Sequence, residues 1–127
     1  MGGEILAGWS RIARTTRWYS QRVNRTNEEL IEAGNVRHEH EFKVWGDAKL
    51  PAGKILIPGV VSHSTDLVEH PELVADRLIT FADIVGRENV IAGTDCGLGG
   101  RVHPQIAWAK LRALRDGATI ASKKLWS

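Results

Sequence analysis

The stretch Ile55-Leu-Ile-Pro-Gly-Val-Val61 decides the fold class: seven uncharged residues, mostly aliphatic and partly β-branched, read as a strand buried on both faces. Such strands belong to parallel sheets covered by helices. Pro58 and Gly59 interrupt the run and predict a bulge or a barrel-type bend where one backbone donor is not needed. The polar Ser62-His-Ser-Thr-Asp66 follows and falls at the C-terminal edge of the predicted sheet. Pro71 then suits a first helical turn, and Leu73, Val74, Leu78, Phe81, Ala82 and Val85 recur at helical spacing until Gly86 ends the pattern. Val90, Ile91 and Ala92 form a second short buried run, which ends in the glycine-rich Thr94-Asp-Cys-Gly-Leu-Gly-Gly100. Pro104 opens a last helix with Ile106, Ala107, Leu111, Leu114 and Ala118 inward, weakened at Gly117.

Towards the N-terminus, Gly46 to Lys54 reads as a connection, anchored by burial of Val44 and Trp45. Residues 29–35 read as a strand ending at Gly34 and Asn35, although helix is also compatible with Glu28 to Ala33. Residues 4–23 carry Ile5, Leu6, Trp9, Ile12 and Ala13 at helical spacing beside several arginines, as an amphipathic helix would. The order is helix, strand, connection, strand, helix, strand, helix. Alternating strands and helices imply an α/β protein of parallel βα units, with functional side chains gathered at the C-terminal ends of the strands.

A chain of 127 residues fits one domain, and its apolar and charged fractions are those of a globular protein. A net charge of +2 gives no argument for a nucleic-acid partner, and the arginines of the first helix read equally well as a solvated face. No apolar run is long enough to span a bilayer. One cysteine forms no internal disulfide, and no secretory signal precedes the first helix, so a cytoplasmic setting is expected.

Three strand ends carry residues suited to chemistry. Cys96 and Asp95 offer one soft and one hard ligand or acid/base group from adjacent positions, with Asp95 a candidate catalytic residue, though a free cysteine also serves as a small core hydrophobe. His63 is a candidate acid/base group that Ser64, Thr65 or Asp66 could orient, or else a turn or cap residue. Glu32 lies near the end of the first strand. In Arg37-His-Glu-His-Glu-Phe42, His38 and His40 would share a face on a strand and diverge on a helix. A thiolate and a carboxylate help to hold zinc, which activates a substrate thiol, whereas a Cys96 nucleophile with His63 as base is the metal-free alternative.

Four segments resemble a known family: Glu32-Ala-Gly-Asn-Val-Arg-His-Glu-His-Glu41, Ile57-Pro-Gly-Val-Val-Ser-His-Ser64, Val68-Glu-His-Pro-Glu-Leu-Val-Ala-Asp-Arg77 and Gly86-Arg-Glu-Asn-Val-Ile-Ala-Gly-Thr-Asp-Cys-Gly97. Residues 29–127 are similar to the C-terminal end of proteins related to cobalamin-independent methionine synthase, including epoxyalkane:coenzyme M transferases. The resemblance implies the last part of a (β/α)8 TIM barrel. It further implies transfer of an alkyl or methyl group from a small-molecule donor to a thiol, with zinc as cofactor. Cys96 matches the family's C-terminal zinc cysteine, Glu32 its zinc glutamate, and His63 a histidine that supplies a proton near the donor. The family also uses a His-x-Cys pair on an earlier strand, and here no histidine or cysteine precedes His38. His38 or His40 is therefore expected to substitute as a metal ligand. Residues 1–28 do not read like the family's corresponding segment. With about three strands the barrel is expected to be incomplete, and a homo-oligomer is expected to cover its open edges. A non-catalytic oligomeric remnant, and a hydrolase or lyase using the same edge, are the alternative expectations.

Overall fold

The computed structural model describes residues 30–33 and 36–127. Its sheet has three parallel strands in the order β1-β2-β3, where β1 is Leu30–Ala33, β2 is Ile55–Val61 and β3 is Gly93–Thr94. Leu30 pairs with Ile55 and Glu32 with Ile57. The parallel α/β arrangement is as the apolar run of β2 predicts. The predicted helix over residues 4–23 lies outside the described residues.

Strand β2 contains the predicted bulge. Leu56 bridges Val90 and Gly59 pairs with Gly93 at one register, but Val61 pairs with Thr94, so Val60 is the extra residue. The predicted strand at Val90–Ala92 is displaced. Only Val90 makes an isolated bridge there, and the ladder proper starts at Gly93. Gly93 allows this close pairing, because a Cβ there would come within 2.5 Å of Ile57 Cγ2.

Between β1 and β2 the chain forms a 3-10 helix, Val36–Lys43, followed by the single turn α1, Val44–Asp47. Trp45 packs against the core as expected, but Val44 is exposed. Helix α2, Pro71–Val85, connects β2 to β3, and α3, Pro104–Leu125, closes the described fold. Both begin with proline in the first turn behind a histidine cap. His70 Nδ1 accepts from the Glu72 backbone N–H, and His103 Nδ1 accepts from that of Gln105, each at 3.1 Å. Gly86 ends α2 with φ of 98°, a conformation that favours glycine.

The core lies between β2 and the packed pair α2 and α3. Leu56, Val60, Val74, Leu78, Phe81 and Leu114 form its centre. Leu73 points outward, contrary to the periodic pattern, because the buried stripe of α2 passes through Val74, Ala75, Leu78, Phe81 and Ala82. On α3 the deepest stripe is Lys110, Ala113, Leu114, Gly117, Ala118 and Ala121, while Ile106, Ala107 and Leu111 are only partly covered. Gly117 is the contact point of the two helices: a Cβ there would fall 2.4 Å from Val74 Cβ and 2.8 Å from the Pro71 carbonyl oxygen.

Candidate functional site

The site forms where β2 and β3 end. The ladder continues one step past β3, with the Asp95 backbone N–H donating to the Val61 carbonyl at 3.0 Å. That step sets the Asp95 carboxylate against the residue leaving β2. Asp95 Oδ1 accepts the His63 backbone N–H at 2.8 Å and lies 2.6 Å from His63 Nδ1. Because Oδ1 already serves as an acceptor, the imidazole donates through Nδ1–H and carries its exchangeable chemistry on Nε2. The Asp95 side chain is 3% exposed and that of His63 is 19% exposed, so a buried carboxylate orients a ring that still reaches solvent. Such an arrangement defines tautomer and direction for a proton-transferring group.

Ser64, Thr65 and Asp66 do not take the orienting role. Ser64 bonds Ser62 through both hydroxyls at 2.9 Å, Thr65 Oγ1 receives the Leu67 N–H, and Asp66 is exposed. The actual partner lies 32 residues further along the chain, on the next βα unit.

A second polar cluster supports the same turn. Ser62 N–H donates to Glu69 Oε2 at 2.6 Å, and Lys110 Nζ reaches Glu69 Oε1 at 2.9 Å and the Leu67 carbonyl at 2.5 Å. The Lys110 side chain is completely buried and that of Glu69 is 8% exposed. Removing these charges from water is costly, and it is offset by their mutual attraction and by hydrogen bonds to backbone groups. Neither Glu69 nor Lys110 is among the candidate site residues expected from the sequence, although Glu69 lies in the segment 68–77 that carries the family resemblance. The available signal for Lys110 was its spacing from Leu114, Gly117 and Ala121, which puts it on the inward stripe of α3.

Cys96 is a free, exposed thiol immediately after Asp95, which removes the core-hydrophobe reading of this residue. Beyond it Leu98 is buried and acts as the apolar anchor of the glycine-rich loop. A cavity of about 380 Å³ lies beside this loop, lined by Thr94, Leu98, Val102, Trp108 and Leu111 among others, and neither His63 nor Cys96 lines it.

The metal-ligand candidates are spread out. Glu32 is in register with Ile57, four residues before the end of β2, about 13 Å of strand. Residues 38 and 40 belong to the 3-10 helix and not to a strand, so the condition under which they share a face is not met. His40 is exposed. Among the described residues no group of three histidine, cysteine, aspartate or glutamate side chains is placed to hold a metal ion. Among the described residues, too, no helix is long and apolar enough to cross a membrane.

No family model and no curated protein matches the chain. Among solved structures, it is similar to a B12-independent methionine synthase from Shewanella sp. W3-18-1, in complex with selenomethionine, at 27% sequence identity and a TM-score of 0.63. The match covers 76% of this chain and 27% of that one, so the chain spans about a quarter of the length of the protein it resembles. The similarity supports an origin within the methionine synthase-like superfamily.

Proposed function

We propose that the chain is a divergent relative of the C-terminal part of a methionine synthase-type barrel, and that its strand-end edge transfers an alkyl or methyl group to a thiol. The observation that carries this reading is the His63–Asp95 pair, which joins the ends of two successive βα units at the edge where such folds place their chemistry. The thiol gives its proton to His63 Nε2, its sulfur attacks the donor carbon as the bond from that carbon to the leaving group breaks, and the imidazolium passes the proton from Nε2 to the leaving group. Asp95 holds the opposite nitrogen and stabilises the ring in the required orientation.

Zinc belongs to this reading as a further proposal, with Cys96 and Glu32 as ligands and His38 or His40 completing the set. When bound, the metal would lower the pKa of a substrate thiol and present it as thiolate. The described residues do not assemble that set on their own, and no step above depends on it. The same observation favours a second reading, a non-catalytic remnant that keeps the fold alone.

The barrel is incomplete in this proposal, because the outer edges of β1 and β3 have no strand partner among the described residues. A second copy of the chain would cover them, and light scattering at low protein concentration would disprove this by finding a folded monomer.

Protein purified without chelator, assayed for zinc and for alkylation of a small thiol by a panel of alkyl donors, tests the whole reading. Zinc present in the wild type and lost in Cys96→Ser supports the metal site; equal zinc in both removes it. Loss of turnover in His63→Gln and Asp95→Asn supports the proton role, and wild-type rates in either variant would overturn it.

A further inference from the structure

Resting on the reading of His63 as the proton carrier, we propose that the buried Glu69–Lys110 pair is a positioning device for that residue. Three contacts make the connection. Glu69 Oε2 accepts the backbone N–H of Ser62, the residue before His63, at 2.6 Å, and Glu69 Oε1 accepts a hydrogen bond from Lys110 Nζ at 2.9 Å. Lys110 also holds the Leu67 carbonyl at 2.5 Å. The turn from Ser62 to Glu69 is thus fastened near both ends by one ammonium–carboxylate pair.

The location of Lys110 gives this fastening its significance. It stands on α3, the helix that continues from the loop bearing Asp95 and Cys96, while Glu69 and Ser62 flank His63 on the preceding unit. Two elements that each carry half of the imidazole–carboxylate pair are therefore tied together a second time, away from that pair. Asp95 accepts from both the backbone and the ring of His63, so a shift of the Ser62 backbone alters both distances together. Ser62 is 2% exposed and Lys110 fully buried, which leaves no solvent to replace the lost contacts. A pair needed only for packing could be apolar at lower desolvation cost. The charged pair instead supplies directional bonds to two backbone groups of a polar turn, which apolar side chains cannot do.

The test uses the full chain and proton NMR of the histidine ring N–H region. A ring Nδ1–H donated to a carboxylate at 2.6 Å gives a strongly downfield, slowly exchanging resonance, assigned by its absence from His63→Gln. Its absence from the wild type would overturn the proposal outright. In Glu69→Gln/Lys110→Met, where the buried charges are removed together, the resonance is expected to shift upfield or vanish while the protein stays folded. Glu69→Asp, which keeps the charge but shortens its reach, should weaken the resonance and serves if the double variant does not fold. Leu78→Ala, a core truncation further along α2 beside Val90 and Leu125, is the comparison for general destabilisation and should leave the resonance in place. An unchanged resonance in folded Glu69→Gln/Lys110→Met or in Glu69→Asp would overturn the proposal. So would an equal loss in Leu78→Ala. The signal is read without substrate or metal, so inactive, zinc-free protein showing the expected changes would retain the positioning role and lose the transfer function.

Discussion

Arg77 Nη1 donates to the Val60 carbonyl at 3.0 Å, and Val60 is the residue that β2 carries in excess of its partner strand. A bulge leaves backbone groups out of the ladder, and here a side chain from α2 satisfies one of them. The same guanidinium bonds Glu39 through Nε at 3.0 Å, linking the 3-10 helix to the sheet.

Arg77→Met is therefore expected to destabilise the protein by about 1–3 kcal/mol, the usual cost of a buried acceptor left without a donor. Glu39→Gln removes only the half-exposed end of the ion pair and should cost less than about 1 kcal/mol. Urea denaturation midpoints for the two variants check the ordering. Equal losses would show that the link to Glu39, and not the bulge carbonyl, is the important contact.

Lys110→Met leaves Glu69 charged and buried without its ammonium, and a loss of about 3–5 kcal/mol is expected. Glu69→Gln/Lys110→Met should lose markedly less than the single variant. A double-mutant cycle by chemical denaturation measures this coupling.

Gly117→Ala sets helix propensity against packing. The alanine gains up to about 1 kcal/mol in intrinsic preference. Its methyl would fall 2.4 Å from Val74 Cβ, and such overpacking costs about 1–3 kcal/mol. Net destabilisation is expected, partly relieved by Val74→Ala in the same chain. A raised thermal midpoint for Gly117→Ala alone would contradict the close crossing of α2 and α3.

His70→Ala and His103→Ala each remove a helix cap, with an expected loss of about 1 kcal/mol. His70→Asn and His103→Asn retain a side-chain acceptor at the cap and should recover most of it. Thermal unfolding of the four variants is the measurement.

Local signals made the frame of this protein legible. Pro71, Gly86 and Pro104 mark the helix ends, and the Pro58-Gly59 interruption announces the bulge before any pairing is known. Long-range partners were less accessible. His63 has three polar neighbours in sequence that look suitable, yet its carboxylate comes from Asp95, because the parallel ladder brings the ends of β2 and β3 side by side. Gly117 reads as a weak point in a helix until Val74 is placed opposite it. The ionisable cluster from Arg37 to Glu41 has no apolar alternation to hold it in a strand, and it winds into a 3-10 helix.

The additional residue in β2 also sets a phase. Side chains alternate across a strand, so one residue of extra length exchanges the two faces for everything downstream. The imidazole of His63 consequently meets Asp95. With Val60 deleted, a serine hydroxyl would arrive opposite the carboxylate and the imidazole would be carried to the other side. The choice between a titratable ring and an alcohol at this edge is thus encoded in the length of a strand.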